Sequence, residues 1–350
     1  MTTTPVTAMV LAGGRGSRLH PLTQNQAKPA LPLADGFRIV DFVLSNLVNS
    51  GIGAIHVLAQ YEPSSLVDHI SKVWAPAVRG AGRFVDVVLP NADTGPFLGT
   101  ADAVYKSLGL VKQHRPGLVA IFAGDHVYRM DVAQMIDSHI RSRAAVSVAA
   151  VPVPVREASS FGVIVAGRDG RIEHFEEKPQ RPTPIPTNPT CAYASMGNYL
   201  FAVDVLTELL EEAHVRGETD FGHHILPRAL RAHRVFAYDF ASNRVPGLRP
   251  CEQPNYWRDV GTLSAYRQVQ QDVAGAEPRF ALNNRHWPVH PETCDAAAGL
   301  ASPQHRGARG GNGIPRGPIA ATQLSARAAA AGVAGQARTQ EGAYRGAGSG

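Results

Sequence analysis

Residues 10–29 read VLAGGRGSRLHPLTQNQAKP: an apolar run breaks into Gly13, Gly14, Arg15 and Gly16, and Lys28 follows just before a proline. Glycines at a strand end let backbone N–H groups approach an anion with no Cβ in the way, and phosphate is the anion such loops cradle. Arg15, Arg18 and Lys28 add positive charge to the same stretch. The pattern is not a P-loop, which needs a Gly-Lys-Ser/Thr ending. It is not the dinucleotide fingerprint either, because the third glycine is missing. For the glycines alone, a tight turn flanked by surface arginines is the plainer alternative.

Two carboxylates stand where a phosphate-bound metal would need them. AGDHVY at 123–128 sets Asp125 at the end of an apolar run. A carboxylate there, facing a triphosphate, suits Mg2+. It could instead cap the helix that follows, a role that Asp131 fits better. YWRDVGT at 256–262 sets Asp259 ahead of a Gly-Thr turn. Asp259 is either a second carboxylate on the same metal or an ordinary turn residue. FEEKP at 175–179 puts Lys178 before a rigid proline. A compact charge with three donors suits a monoester phosphate, and Glu177 can accept hydrogen bonds from sugar hydroxyls. A solvated Glu-Lys pair is the alternative there.

These residues need a scaffold, and the apolar pattern supplies one. Short runs rich in Val, Ile and Ala at 6–12, 54–60, 118–124 and 145–151 read as buried strands. Helical periodicity fills the gaps at 41–50, 64–74, 100–113 and 131–142. The alternation implies βαβ units and an α/β fold with a mostly parallel sheet, whose ligands sit at the carboxyl ends of the strands. After residue 151 the sequence predicts a strand, an Asp169-Gly170 turn and a second strand. A proline-rich loop, a strand in MGNYLFAV, a helix at 204–213, a polar loop at 215–224 and a last strand in VFAYDF follow. This part reads as a lobe laid over the first sheet.

Composition bounds the function class. The chain has 350 residues, 44% hydrophobic and 18% charged, which is ordinary for a globular protein. No run approaches 18 apolar residues, and the N-terminus enters a strand pattern without a basic leader, so neither a membrane span nor a secretory signal is expected. Cys191, Cys251 and Cys294 are odd in number and far apart, which points to a reducing cytoplasm. Of the net charge of +5, residues 291–350 carry +3, from six Arg against Glu292, Asp295 and Glu341. The rest is close to neutral, and no basic, aromatic-rich segment marks a nucleic-acid binder. Of those last 60 residues, 28 are Ala or Gly, with no sustained period beyond a short helical stretch at 321–331. They read as a disordered, low-complexity tail. The expected organisation is a catalytic domain over 1–250, its end and a linker over 251–290, and the tail over 291–350.

The motifs occur in a fixed order with further strings between them: FRIVDFVLSNLVNSGI, LAQY, GTADAVY, FGVIV, ASMGNYLF and DFGHHILP. Together they resemble bacterial glucose-1-phosphate adenylyltransferase, also called ADP-glucose pyrophosphorylase, from about residue 6 to about 288. The resemblance implies a Rossmann-like nucleotidyltransferase fold. It also implies a cytoplasmic, allosteric, homotetrameric enzyme of glycogen synthesis that makes ADP-glucose and pyrophosphate from ATP and α-D-glucose 1-phosphate. A sugar-phosphate oxygen attacks the α-phosphorus in line, chemistry that needs positioning and charge neutralisation more than covalent help. On matching positions Gly13, Gly14, Arg15 and Lys28 would hold the triphosphate, and Asp125 and Asp259 would hold Mg2+. Gly162, Glu177, Lys178 and Ser195 would hold glucose 1-phosphate. Gln60, Gly99 and Thr100 would lie by the adenine, with Phe97 able to stack on it.

The sequence departs from that family in four places. GPFLGTADA keeps only Phe97 of the usual Trp-Tyr pair. Asn25 and Gln26 replace a Lys-Arg pair that binds a sugar-bisphosphate activator in enterobacterial members, so weak or different activation is expected. His223 and His224 stand where Lys-Asp is common; surface histidines are expected there in the absence of a third ligand. The family continues into a left-handed β-helix of hexapeptide repeats that supplies subunit contacts, and residues 291–350 show no such repeat. An out-of-frame or truncated product is one reading of this tail; if the tail is native, an apolar face that packs on the β-helix in the family is left uncovered, and the tetramer is in doubt. A UTP- or dTTP-using relative, and a non-catalytic chain that keeps the ligand site, are the other readings.

Overall fold

The structure is a computed structural model that describes residues 4–290 apart from Asp35 and Ala81. The expected tail at 291–350, its helix at 321–331 and Cys294 lie outside the described residues.

One nine-stranded sheet organises the chain. Its strands are β1 (Val6–Leu11), β2 (Ala54–Leu58), β3 (Phe84–Val88), β4 (Leu118–Ala123), β5 (Val146–Pro154), β6 (Gly162–Ala166), β7 (Ile172–Glu177), β8 (Cys191–Ala202) and β9 (Val235–Asp239). They run in the order β7-β6-β8-β4-β1-β2-β3, with β5 beside β8 and β9 beside β5. The pairings β1–β2, β1–β4, β2–β3 and β5–β9 are parallel, while β8 runs antiparallel to β4, β5 and β6. The sheet is therefore mostly parallel by strand direction, and only β7 and β8 run against the rest. Ala8, Met9 and Val10 in β1 have no exposed surface. That is how a strand covered on both faces reads, as an unbroken apolar run.

The strands after residue 151 differ from the lobe expected of them. β6, β7 and β8 hydrogen-bond into the same sheet, because β8 is long enough to pair with β5 along one side and with both β4 and β6 along the other.

The helices follow the periodicity with local corrections. Helix α1 (Ile39–Asn49) starts two residues before the expected 41, because the Asp41 carboxylate accepts the Arg38 backbone N–H at 2.7 Å and closes the first turn. The predicted helix at 100–113 is two, α2 (Thr100–Lys106) and α3 (Leu108–Gln113), separated at Ser107. The Ser107 hydroxyl donates back to the Ala103 carbonyl at 2.8 Å, a bond that bends helices. The stretch expected at 64–74 is α-helical over Ser64–His69 and widens to a π-turn over Ile70–Trp74. Helix α4 (Val132–Arg141) is capped by Asp131, whose carboxylate accepts the Ala133 N–H at 2.9 Å. Helix α5 spans Val203–Val215. The loop expected at 215–224 contains a π-turn at Phe221–Ile225, capped by Asp220 through the His223 N–H at 2.9 Å.

Residues 251–290 build a layer of their own. Trp257–Asp259 pairs antiparallel with His126–Tyr128 in a two-stranded ribbon, and helix α6 (Leu263–Asp272) follows. Tyr256, Val260, Tyr266, Val269 and Phe280 bury themselves against Leu19, Ile39, Phe42 and Val127. Among the described residues no helix is long and apolar enough to cross a membrane.

Candidate active site

The chain leaves β1 toward β2 and β3 on one side and returns to place β4 on the other. Where strand order reverses in this way, the loops after the two central strands splay apart and open a crevice at their carboxyl ends. The loop after β1 carries Gly13 and Gly14, and the loop after β4 carries Gly124 and Asp125. Gly124 is fixed by its neighbours. A Cβ there would stand 2.9 Å from Val10 Cγ1 and 3.0 Å from the Leu11 carbonyl. Its N–H donates to that same carbonyl at 3.0 Å, so β4 can end tight against β1 only without a side chain. Gly16 is left-handed at φ 60°, and the Thr23 hydroxyl holds its carbonyl at 2.8 Å.

The crevice is a cavity of ≈ 450 Å³. Of the residues singled out in the sequence, Gly13, Gly14, Gln60, Phe97, Gly99, Thr100, Asp125, Gly162, Glu177, Lys178, Ser195 and Asp259 line it. Lys28 lines a smaller cavity of ≈ 190 Å³ beneath the glycine loop, which shares Gly14, Arg18 and Asp125 with the larger one. Arg15 lines neither; its guanidinium lies 5.8 Å from the centroid of the Tyr61 ring. Arg18, which the sequence left among the flanking charges, lines both. A single 3-10 turn at Ser17–Leu19 separates the two directions.

The ribbon delivers the second carboxylate. Asp259 sits directly opposite His126 in its register. The Lys28 ammonium reaches Asp125 Oδ2 at 2.8 Å and Asp259 Oδ1 at 3.3 Å. His126 Nε2 lies 3.5 Å from Asp125 Oδ1 and 3.6 Å from Asp259 Oδ1, while its ring packs edge-on against Trp257. Burial pushes the Asp125 carboxyl up, but Lys28 and His126 outweigh it and hold the group below its ordinary value, so it is ionised. Among the described residues, Asp125, His126 and Asp259 form the only group that could hold a metal ion, with donor atoms within 4.8 Å of one another. The two carboxylate oxygens suit a hard divalent cation that keeps water or phosphate in its remaining positions, with the His126 imidazole beside them. Among the described residues no third ligand joins His223 and His224; His224 Nδ1 accepts the Asp220 N–H at 3.1 Å.

The far wall gathers the polar groups of β6, β7 and β8. Lys178 follows β7 with a left-handed backbone at φ 47°, and its ammonium pairs with Glu177. β8 bulges between Ser195 and Tyr199, which turns Ser195 and Gly197 into the cavity. Burial pushes the Tyr199 phenol up against a hydrogen bond with Ser195. The Glu177 and Asp220 carboxylates push it further, so it stays protonated.

The near wall is strapped in place. Gln60 spends both ends of its amide on Phe97, accepting from the backbone N–H at 2.6 Å and donating to the carbonyl at 3.0 Å. The Thr100 hydroxyl donates to Asp220 at 3.2 Å and accepts from the Phe221 N–H at 3.1 Å. Asp220, Gly222, Tyr199 and His126 line the cavity without having been singled out for it. All four lie inside the strings DFGHHILP, ASMGNYLF and AGDHVY, which was the signal available.

Comparison with known proteins agrees with this geometry. Residues 7–275 match the family model described as nucleotidyl transferase. The glucose-1-phosphate adenylyltransferase of Thermodesulfovibrio yellowstonii is 50% identical over 289 residues, covering 82% of this chain and 70% of that protein. The enzyme of the same name from Thermus thermophilus is 48% identical over 295 residues, covering 81% and 70%. That of Streptomyces avermitilis is 47% identical over 290 residues, covering 81% and 71%. With the family match running from β1 past α6, through every element that borders the cavity, the chain belongs to the nucleotidyl transferase family, among the glucose-1-phosphate adenylyltransferases.

Proposed function

We propose that the chain transfers the adenylyl group of ATP to α-D-glucose 1-phosphate, forming ADP-glucose and releasing pyrophosphate. The observation that carries this reading is the single cavity that joins a glycine loop, a carboxylate pair and a separate Glu-Lys-Ser wall. A nucleotide and a phosphorylated sugar can therefore meet within it. The backbone of Gly13 and Gly14, with Arg18 and Lys28, binds the triphosphate. Gly99, Thr100 and the Phe97 ring border the base, and Gln60 acts through the Phe97 backbone it holds. Lys178 takes the phosphate of the sugar, while Glu177 and Ser195 take its hydroxyls. Asp125 and Asp259 hold a divalent cation, Mg2+ in this reading, which when bound supplies charge neutralisation on the phosphate oxygens. An oxygen of the sugar phosphate then attacks the α-phosphorus, the α–β bridging bond breaks, and its electrons leave with pyrophosphate. The protein's share is alignment of the two substrates and fixed charge around the transferring group.

The test is pyrophosphate release by the purified chain with glucose 1-phosphate, Mg2+ and a panel of ATP, UTP and dTTP. Release with ATP, and little with the other two, is expected. Release with UTP or dTTP instead would reassign the nucleotide. No release from a folded chain that binds both substrates would favour a non-catalytic ligand binder.

A further inference from the structure

We propose that Lys28 and the divalent cation compete for the same pair of carboxylates, so that cation binding releases the Lys28 ammonium onto the phosphates of the nucleotide. This rests on the proposed function and assigns Lys28 a second, earlier role in the same site.

Lys28 is the most deeply buried charge of the group, with 7% of its side chain exposed against 35% for Asp125 and 21% for Asp259. A buried ammonium needs compensating charge, and it takes both carboxylates. Those are the groups a cation would use. Asp259 Oδ1 is common to Lys28 and His126, and Asp125 turns Oδ2 to Lys28 and Oδ1 to His126. A cation held by Asp125 and Asp259 would therefore stand within ion-pair distance of a positive charge. The like charges repel, and the flexible partner yields.

Lys28 has a destination. It lines the small cavity beneath the glycine loop together with Gly14, Gly16 and Arg18, and Asp125 lines that cavity too. Its backbone is fixed, since it begins a 3-10 turn in which the Leu31 N–H donates to the Lys28 carbonyl at 3.1 Å. The four-carbon stem above that anchor has several rotatable bonds through which the ammonium can be redirected. Before the cation binds, the ammonium offsets the repulsion between the two carboxylates. Afterwards the same charge faces phosphate. Cation and phosphate then reinforce each other's binding, as linkage requires.

Removing the Lys28 charge should therefore have opposite effects on the two ligands. A lysine that only grips phosphate would leave cation binding unchanged, and one that only supports the fold would weaken both. The test is Mn2+ binding to the full chain without nucleotide, followed by the electron paramagnetic resonance of free Mn2+. Lys28→Gln is expected to bind Mn2+ about tenfold more tightly or better than the wild type. Lys28→Arg is expected to stay near the wild type, and Asp259→Asn to lose tight binding. Pyrophosphate in the presence of Mg2+ is expected to bind Lys28→Gln about tenfold more weakly. Unchanged or weaker Mn2+ binding by Lys28→Gln would overturn the proposal.

Should Lys28→Gln fail to fold, the wild type decides. The chain has only five lysines, and the Lys28 ammonium can be assigned in 15N-lysine NMR spectra by its loss in Lys28→Arg. Saturating Mg2+ is expected to move that resonance, and an unmoved resonance would overturn the proposal. None of these readouts needs turnover. Pyrophosphate release with an unaltered Mn2+ affinity would remove the competition and leave the proposed function standing.

Discussion

Asp125 is held between opposed influences, and their balance sets how the site responds to pH. Burial favours its neutral form, while Lys28 and His126 favour the carboxylate and win. A carboxyl depressed in the folded state contributes stability that is present above its ordinary value and is lost only as pH falls through the lower, folded one. The rate of pyrophosphate release should therefore show no acid limb from this group between about pH 5 and pH 8. A break near neutrality in the profile of kcat/KM would assign the titration elsewhere. Asp125→Asn keeps the shape and removes the charge, so it should lower the rate by roughly 10²–10³-fold, and the melting midpoint should fall too, because the buried Lys28 ammonium loses its closest carboxylate. The glycines and Asp125 were legible because each lies one or two residues past an apolar run that had to be a central strand. Arg15 and Arg18 were not separable, because three residues in a tight turn decide which guanidinium faces the cavity. The Lys28 bridge to Asp259 spans 231 positions and had no trace in sequence.

At the scale of elements, the site depends on how closely β1 and β4 end. Gly124→Ala would drive a Cβ into Val10 and the Leu11 carbonyl, and no flexible side-chain end is there to give way. It should cost about 1–3 kcal/mol in urea denaturation and reduce pyrophosphate release as well, since Asp125 is the next residue. Unchanged activity in that variant would mean that the carboxylate position tolerates movement of the strand end. A second element-level prediction concerns α4, which packs on the sheet through His139, 3% exposed, whose Nδ1 meets the Ser147 hydroxyl at 2.8 Å. Burial pushes the imidazole down to about 4. The unfolded chain thus binds a proton that the folded one refuses, and stability falls as pH drops from about 6.5 toward 4. Urea denaturation at pH 7 and pH 4.5 should show the wild type losing roughly 2–3 kcal/mol more than His139→Gln over that interval. Equal losses would mean the ring accepts a proton in place. Strand positions were readable in advance from unbroken apolar runs. The placing of β6–β8 was not, since one twelve-residue strand with a bulge decides it through pairings distant in sequence, from Tyr193 with Ile164 to Ala202 with Leu118.

Across the whole molecule, the ribbon that carries the metal site is fastened to the last described residues through one side chain. Asn46, 2% exposed on α1, donates to the Tyr128 carbonyl at 3.0 Å and accepts from the Met130 N–H at 3.0 Å and from Trp287 Nε1 at 3.4 Å. One helical turn on, Asn49 donates to the Pro288 carbonyl at 2.8 Å, and the Ser45 hydroxyl accepts the His290 N–H at 2.9 Å. Val289 is buried in the same apolar layer as Tyr256, Val260 and Phe280. The string LSNLVNS marked α1 as part of the family pattern, but not that its polar positions clasp a segment some 240 residues away. Asn46→Ala strands the Tyr128 carbonyl and the Met130 N–H at once and should cost about 2–4 kcal/mol. Truncation separates the contribution of this clasp from anything beyond it. A chain ended after His290 keeps every one of these contacts and should melt within about 2 °C of the full chain, because burial and hydrogen bonding decide such tolerance. A chain ended after Leu282 loses Val289 and the Trp287, Pro288 and His290 bonds, and should melt about 5–10 °C lower. If the longer truncation product melts unchanged and still releases pyrophosphate at the full rate, residues 4–290 contain all that the transfer needs. If it melts unchanged but its rate falls, residues after 290 act on the site without holding the fold. Asn46 would then be the place to look for the coupling, since it is the side chain that touches both ends.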